Sequence, residues 1–144
     1  MDTQNYANHR RWMPLFHYIL LPVLVLTVGG ATTNLIQSWD DPTRLYSASL
    51  IFVLSLCLLP TLLLARMFAM KAQDRAIRAE ENLRHFVLTG KLLDPRLTIR
   101  QVVGLRFAAD GEFAGLAQRA AAENLSEDDI KKAVKNWKAD TYRV

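Results

Sequence analysis

The sequence predicts an all-α protein, in which a transmembrane helical hairpin continues through its second helix into a small cytoplasmic helical domain. The first observation is that residues 12–65 contain only three charged side chains, Asp40, Asp41 and Arg44. The second is that this stretch holds two uncharged runs of roughly 20 residues, enough for a helix to cross the ~30 Å hydrocarbon core of a bilayer. The third is that residues 66–144 are rich in charge and carry helix-capping signals.

The two uncharged runs, residues 15–36 and 45–65, predict the two membrane spans. A short loop joins them, so we expect neighbouring antiparallel helices. A cleaved signal peptide is the alternative interpretation of the first run. That run is longer than a typical signal-peptide core and a second apolar run follows it, so we favour a hairpin over residues 15–65.

Basic residues flank the runs unevenly. Arg10 and Arg11 precede the first run and several Lys and Arg follow the second, whereas the loop carries Arg44 alone. Because Lys and Arg are enriched on the cytoplasmic side of membrane proteins, we expect both termini in the cytoplasm. This predicts a multi-pass protein of the bacterial inner (cytoplasmic) membrane, with residues 1–14 as a cytoplasmic segment and the lipid bilayer as a partner.

Small and polar residues mark one face of the first span. Gly29 and Thr33 stand four residues apart, as do Gly30 and Asn34, and such spacing lets helices approach closely. We expect this face to pack against the second span, on a face that includes Ser47, Ala48 and Ser55; self-association or docking on another membrane protein is the alternative. His17 is the titratable side chain inside the first span. We interpret it either as a residue at the membrane interface or as a proton or cofactor site.

An apolar seam continues beyond the second span. Within the extension, residues 66–88, apolar residues recur at steps of three and four, as in a coiled coil. These residues form what we call the apolar seam: Ala69, Ala72, Ala76, Ala79, Leu83 and Phe86. The seam is expected to dock on the protein's own C-terminal helices or, alternatively, on a second copy or another protein. Lys71, Arg75, Arg78 and Glu81 lie off the seam and are expected to face solvent or lipid headgroups.

Three helices are expected within residues 89–144, after a C-terminal cap at Gly90. Thr98 with Gln101 and Ser126 with Asp129 have the spacing of capping boxes, so helices are predicted at about 98–109 and 126–140. A third is predicted between them, with Asp110 as its N-cap. Their expected shared core is Ile99, Val102, Val103, Phe107, Phe113, Leu116, Ile130, Val134 and Trp137.

Lysines are spaced along the last predicted helix. Lys131, Lys135 and Lys138 would share one helix face, and a basic stripe of this kind can bind phosphates. Acidic residues stand four positions earlier, so a salt-paired surface is the alternative. Anionic lipid is a candidate partner for the stripe, whereas the absence of a nucleic-acid-binding motif argues against RNA or DNA.

Motifs of catalysis and metal binding are missing from the sequence. It contains no HExxH, CxxC or GxSxG motif and no phosphate-binding loop, and its single cysteine, Cys57, lies in an apolar run. We therefore expect no enzyme activity, no cofactor and no metal site.

The chain resembles an uncharacterised family of short bacterial two-span membrane proteins, known as a domain of unknown function. The resemblance rests on residues at both ends of the chain: Gln4-Asn5-Tyr6, Asn8-His9, Pro14, Phe16-His17, Asp94-Pro95-Arg96-Leu97-Thr98, Leu105-Arg106-Phe107-Ala108, and Ile130-Lys131 through Trp137, Asp140, Arg143 and Val144. It implies two spans with a helical tail and no particular activity. It also suggests a working surface at the polar N-terminal segment, with Gln4, Asn5, Tyr6, Asn8 and His9 as candidates.

We expect a non-catalytic accessory or scaffolding protein that docks on a membrane complex, or on a second copy, through its cytoplasmic helices. One alternative is an oligomeric minimal transporter or channel lined by His17, Thr33 and Asn34. Another is a membrane tether or sensor that binds anionic lipid or RNA through its Lys-rich helix.

Overall fold

The computed structural model describes residues 4–8 and 13–140, and it confirms an all-helical fold. A π-helical segment, Leu15–Leu20, leads into α1, Leu21–Gln37. Helix α2 is a single helix from Pro42 to Thr89, and three short helices follow: α3 (Ile99–Leu105), α4 (Asp110–Glu123) and α5 (Glu127–Ala133). Within the described residues no strand forms, although an isolated antiparallel bridge pairs Ala108 with Trp137.

The chain divides into two compact units. One consists of residues 11–69, and the other combines residues 1–10 with residues 70–144. The predicted topology residues Arg10 and Arg11, and the candidate His9, lie outside the described residues.

The unit of residues 11–69 contains the first apolar helix and the first part of α2. Leu15–Gln37 and Pro42–Thr89 are the two helices that are long and apolar enough to cross a membrane, by length and composition. Only 6% of the most apolar window of Leu15–Gln37 and 11% of that of Pro42–Thr89 is buried within the chain. The π-helical segment has a local cause: the ring nitrogen of Pro22 cannot donate to the carbonyl of Tyr18, and the ring would clash with it in a regular α-helix. The Leu21 N–H instead reaches back five residues, to the Phe16 carbonyl.

The buried positions within this unit are small residues. Ala31 of α1 and Ala48 and Ser55 of α2 are almost completely buried, so the prediction was right for Ala48 and Ser55. It was wrong for Ser47, which is exposed, and for the contact face of the first predicted span. The members of that face, Gly29, Gly30, Thr33 and Asn34, are all exposed.

The reason is the spacing of the larger apolar residues on α1. Leu24, Val28 and Leu35 are partly buried and lie on the same side as Ala31, at steps of three and four. This row sets the face that is turned inward, and the glycines lie beside it. A Cβ atom added at Gly29 or Gly30 would meet nothing within 4 Å.

Helices α3, α4 and α5 share a core with part of α2. The predicted core residues Val102, Phe107, Phe113, Leu116, Ile130 and Val134 are buried, and Val103 and Trp137 pack at the edge. Ile99 is only partly buried. The prediction missed other members of the core, namely Ile77, Leu93, Leu97, Leu105, Ala108, Ala117 and Ala120.

The helix starts agree with the capping signals, with two corrections. Thr98 and Gln101 form a complete capping box, and Gly90 has the positive φ of 72° that a C-terminal cap requires. The Ser126 hydroxyl accepts from the Asp129 N–H, but the Asp129 carboxylate accepts from the same hydroxyl rather than from the Ser126 backbone. The first correction is therefore that this capping box is only half formed, and the second is that the cap of α4 is Ala109, not Asp110.

The predicted last helix is too long. It ends at Ala133, and Val134 already has an extended backbone with ψ of 121°. The Glu112 carboxylate explains the end, because it accepts from the backbone N–H groups of Lys135 and Asn136 at 3.1 and 2.9 Å. The following residues run beside the start of α4, where the Lys138 N–H donates to the Phe107 carbonyl at 2.8 Å.

Candidate interaction surface

The part of α2 between Met70 and Thr89 has two unlike faces. One face packs against α3–α5, and its central residues Ile77, Glu81 and His85 are buried. The opposite face is the apolar seam. Because residues four apart share a helix face, Ile77, Glu81 and His85 form one continuous row. The extension is therefore held to its own domain by a largely polar row.

Arg84 is the strongest link in this polar contact. Its guanidinium donates to the Glu81 carboxylate at 3.0 Å, to the Asp110 carboxylate at 2.7 Å and to the Ala108 carbonyl at 2.7 Å. It also lies 4.3 Å from the centre of the Phe113 ring. The side chains of Arg84 and Glu81 are only 12% and 5% exposed, so this ion pair is largely removed from water.

Asp110 lies on the solvent-accessible side of the Arg84 guanidinium. The hydrogen bond and the positive charge of Arg84 hold the pKa of the Asp110 carboxyl below its usual value. This pairing explains why Asp110 does not cap α4: its carboxylate points to Arg84 instead of the helix's own N–H groups. The first turn of α4 is thereby tied to α2.

Three further polar contacts join α2 to the segment between α2 and α3. Arg78 donates to the Leu97 carbonyl at 2.8 Å, and the Asn82 side-chain oxygen accepts from the Leu93 N–H at 3.2 Å. The His85 Nδ1 atom lies 2.7 Å from the Lys91 carbonyl oxygen. These contacts correct the expectation that Arg78 and Glu81 face solvent or headgroups; Lys71 and Arg75 are exposed as expected.

A charged cleft lies along this contact. It has a volume of about 290 Å³ and is lined by Glu80, Glu81, Arg84, Arg106, Asp110, Lys138, Ala139 and Asp140. Arg106 pairs with Glu80 at 3.0 Å and with Asp140 at 3.1 Å. Both arginines of the cleft are therefore bound to carboxylates of the same chain, which suits a structural role. No group of three or more potential metal ligands occurs in the part of the chain that the structure describes.

The apolar seam is open. Its members Ala69, Ala72, Ala76 and Ala79 are exposed, and Leu83 and Phe86 are 63% and 51% exposed. The expectation that the seam docks on the protein's own C-terminal helices was therefore wrong. The physical reason is that the buried face of α2 offers hydrogen-bonding side chains for the backbone groups of the loops that it meets, which alanine cannot do.

The N-terminal segment contacts α5 and the last described residues. The Gln4 side-chain oxygen accepts from the Asp140 N–H at 2.8 Å, and the Tyr6 hydroxyl donates to the Asp128 carboxylate at 2.7 Å. The latter bond raises the pKa of Tyr6, while Lys132 and Tyr6 lower the pKa of Asp128. Asn5 and Asn8 shape the turn between them, since the Asn5 N–H donates to the Asn8 side chain. These candidates thus make contacts within the chain.

The lysine stripe is not formed as predicted. Lys131 lies on α5 and pairs with Glu127, four residues earlier. Lys135 and Lys138 follow the end of the helix, so the three lysines share no helix face. Lys132 pairs with Asp128 at 2.7 Å. The ion-paired alternative is therefore the one that the structure supports for the lysines of α5.

The polar residues of the first apolar helix are far apart. His17 lies near its start, with Nδ1 2.9 Å from the Met13 carbonyl oxygen and its ring in a T-shaped contact with the Phe16 ring. Thr33 lies near its end and donates its hydroxyl to the Gly29 carbonyl at 3.1 Å. At 1.5 Å of rise per residue, the 16 steps from His17 to Thr33 correspond to roughly 24 Å. The structure does not bring His17, Thr33 and Asn34 together at one point.

Sequence reasoning missed Arg84, its partner Glu81 and the buried His85 as determinants of this surface. One signal was available: Glu81 and Arg84 are three residues apart, a spacing that places opposite charges side by side on a helix. The partners Asp110 and Ala108 are distant in sequence, and no local pattern reveals them.

No curated protein and no solved structure matches the chain. One family model matches it, over residues 1–144. The matched family is described only as a family of unknown function, so it adds no activity or site. Since the match covers the whole sequence, the chain belongs to the family of unknown function DUF6526.

Proposed function

We propose that this protein is a non-catalytic accessory or scaffolding protein of the bacterial inner membrane, which docks on a membrane complex or on itself through its cytoplasmic helices. The single observation that carries the proposal is the exposed apolar seam on α2. The membrane hairpin anchors the protein, and the seam is the surface that meets a partner.

The outward-facing apolar side chains of both long helices support the membrane anchor. A core helix of a soluble protein would be mostly buried, whereas the apolar windows here are 6% and 11% buried. In water such exposure would be very costly, and in lipid it is favourable. The bond between Gln4 and Asp140 also supports a common side for both chain ends, because the hairpin lies between these residues in sequence.

The seam supports docking because exposed apolar groups are grouped on it. A soluble surface rarely exposes a continuous apolar patch without an interaction site. Leu83 and Phe86 are exposed together with the alanines that precede them and with Val87, which is 75% exposed. A helix of a partner protein could bury apolar side chains along the whole seam without disturbing the polar contact on the other side of α2.

The charged cleft supports a structural rather than a chemical role. Its arginines are engaged by Glu80, Glu81, Asp110 and Asp140, and these contacts hold α2, α4 and the last described residues together. A reaction would need groups that are free to bind a substrate.

Two leucine substitutions test the proposal. Leu83 lies on the seam and Leu88 lies on the opposite face of the same helix; they are 63% and 43% exposed. Leu83→Lys places a charge in the docked interface and is expected to release the protein from its complex. Leu88→Lys is the matched control and should leave the complex intact. The measurement is the size of the full-length protein on a native gel after extraction from bacterial membranes in mild detergent.

Two results would contradict the proposal. One is recovery of the unmodified protein in the soluble fraction instead of the membrane fraction. The other is an identical native size for the unmodified protein and the Leu83→Lys variant. Either result would show that the seam is not a docking surface of a membrane protein.

A further inference from the structure

We propose that the apolar seam of α2 pairs with the same seam of a second copy, in parallel and in register, to form a short two-stranded coiled coil next to the membrane. This inference rests on the proposed docking function and names its partner. It is carried by the position of the seam, the polarity of the chain and the charges that flank the seam.

The seam has the spacing of a coiled coil. Ala69, Ala76 and Leu83 occupy one of the two core positions of a heptad, and Ala72, Ala79 and Phe86 occupy the other. All six are exposed in the isolated chain. Alanine at such positions lets two helix backbones approach closely, and Leu83 and Phe86 supply larger apolar groups at the far end.

The protein's own domain leaves room for a second helix. Helices α3–α5 pack on the face of α2 that contains Ile77, Glu81 and His85. At 100° per residue this row lies roughly opposite the seam. Two copies can therefore meet through their seams while both domains stay where they are, on the outside of the pair.

Chain polarity fixes the orientation of the pair. The seam follows the second apolar run directly in sequence, so two copies anchored in one bilayer with the same topology present their seams in the same direction. A parallel, in-register pair is the arrangement that meets this condition. Because both copies are confined to the membrane, their effective concentration is high, which offsets the shortness of the seam.

The flanking charges match the parallel arrangement. In a parallel coiled coil, the residue that directly precedes the first core position of a heptad, here the position of Ala76, faces the residue five places later on the partner helix. Arg75 of one copy would thus face Glu80 of the other, on both sides of the pair. Arg75 is exposed and makes no hydrogen bond or ion pair among residues 4–8 and 13–140.

The opposite orientation lacks this match. An antiparallel pair would place Arg75 against Asn82 and Glu80 against Gln73, without an ion pair. Glu80 has the capacity for a second cation, because its side chain is 59% exposed while one oxygen pairs with Arg106 at 3.0 Å.

Oxidative cross-linking in native membranes tests the pairing. The full-length protein carries Cys57→Ser, which removes its cysteine, together with one new cysteine. Ala79→Cys, at a core position, is expected to form a disulfide with its counterpart in most of the protein. Leu88→Cys, on the face towards α3–α5, is the control and should cross-link only at background level.

A charge reversal tests the orientation. In the Ala79→Cys background, Arg75→Glu should lower the cross-linked fraction by roughly two- to ten-fold, as expected when two exposed ion pairs become repulsive. Arg75→Gln, which removes the attraction without adding a like charge, should lower the cross-linked fraction less than Arg75→Glu does. An unchanged cross-linked fraction in Arg75→Glu would overturn the parallel, in-register arrangement.

The outcomes separate this inference from the proposed function. If Ala79→Cys gives no homodimer, or no more than Leu88→Cys, self-pairing is overturned. The docking function is still tested by the native size of the Leu83→Lys variant: a complex that depends on Leu83 without any self-cross-link means that a different protein covers the seam.

Discussion

Loss of the Arg84 guanidinium should detach the extension from the small helical domain. In Arg84→Met the apolar part of the side chain remains, while the hydrogen bonds to Glu81, Asp110 and the Ala108 carbonyl disappear. The Glu81 side chain, 5% exposed, is left without its cation. Removing one partner of a buried ion pair costs about 3–5 kcal/mol, a large part of the roughly 5–15 kcal/mol that stabilises a typical protein.

The assay is urea unfolding of the full-length protein in detergent. Fluorescence of Trp137 reports on the helical domain, because its ring lies 4.8 Å from the buried Phe107 ring. Trp12→Phe and Trp39→Phe remove the other two tryptophans. The control is Arg100→Met on α3: the Arg100 side chain is 81% exposed and its ion pair is long, so the expected cost is at most about 1 kcal/mol.

A double variant makes the reasoning refutable. Arg84→Met combined with Glu81→Met leaves no buried charge, so it should be at least about 2 kcal/mol more stable than the sum of the two single effects. The account of this contact is wrong if Arg84→Met unfolds at the same urea concentration as Arg100→Met. It is equally wrong if the single effects simply add.

Three further predictions concern the same unit. Gly104→Ala should destabilise it by about 1–3 kcal/mol, since the new Cβ atom would lie 3.0 Å from a backbone oxygen of α5. The Cβ atom of Gly115→Ala would meet nothing within 4 Å, so this variant should stabilise α4 by about 0.5–1 kcal/mol. Urea unfolding shows whether each variant is less or more stable than the unmodified protein. The hydrogen bonds from Arg96 lower the pKa of Asp94 from 3.8 to about 2, so their contribution to stability is complete above pH 3.8 and is lost as the pH falls to about 2. Arg96→Gln should raise that pKa towards 3.8 in an NMR titration, while the backbone N–H of residue 96 still holds it below that value. Gln4→Ala should speed hydrogen exchange of the Asp140 backbone amide, which donates to the Gln4 side chain, by about ten-fold, because that amide loses one net hydrogen bond. Unchanged exchange would exclude this contact.

The fold class was predictable because its signals are local. Charge-free runs defined the two apolar helices, and the capping box at Thr98 and the glycine at position 90 marked helix ends where the structure has them. These features depend on a few neighbouring residues, which a sequence displays directly. The three- and four-residue spacing of the apolar seam is likewise visible directly in the sequence.

The faces of α2 were not predictable in the same way. The spacing identified an apolar face, and the expectation was that the apolar face would be buried within the chain. The structure buries the row with Glu81 and His85, because Arg84, Arg78 and Asn82 meet backbone groups of residues far away in sequence. Which face a helix buries depends on such distant partners.

The end of α5 was missed for a related reason. Lys135 and Asn136 can continue a helix as far as local sequence goes, and the periodic lysines favoured one. The Glu112 carboxylate, more than 20 residues earlier, captures their N–H groups and stops the helix at Ala133. The lysine stripe depended on this helix and therefore disappears with its last turns.

Accessibility of the seam in native membranes tests the central claim most directly. In the isolated chain Leu83 is 63% exposed and Leu88 is 43% exposed, so an undocked protein should label at Leu83→Cys at least as fast as at Leu88→Cys. In inverted membrane vesicles, with Cys57→Ser in both variants, docking predicts the reverse order for a water-soluble maleimide: the cysteine at position 83 should react at least about ten-fold more slowly, because most copies have the seam covered. Equal rates, or faster reaction at position 83, would contradict the claim that the seam is a docking surface.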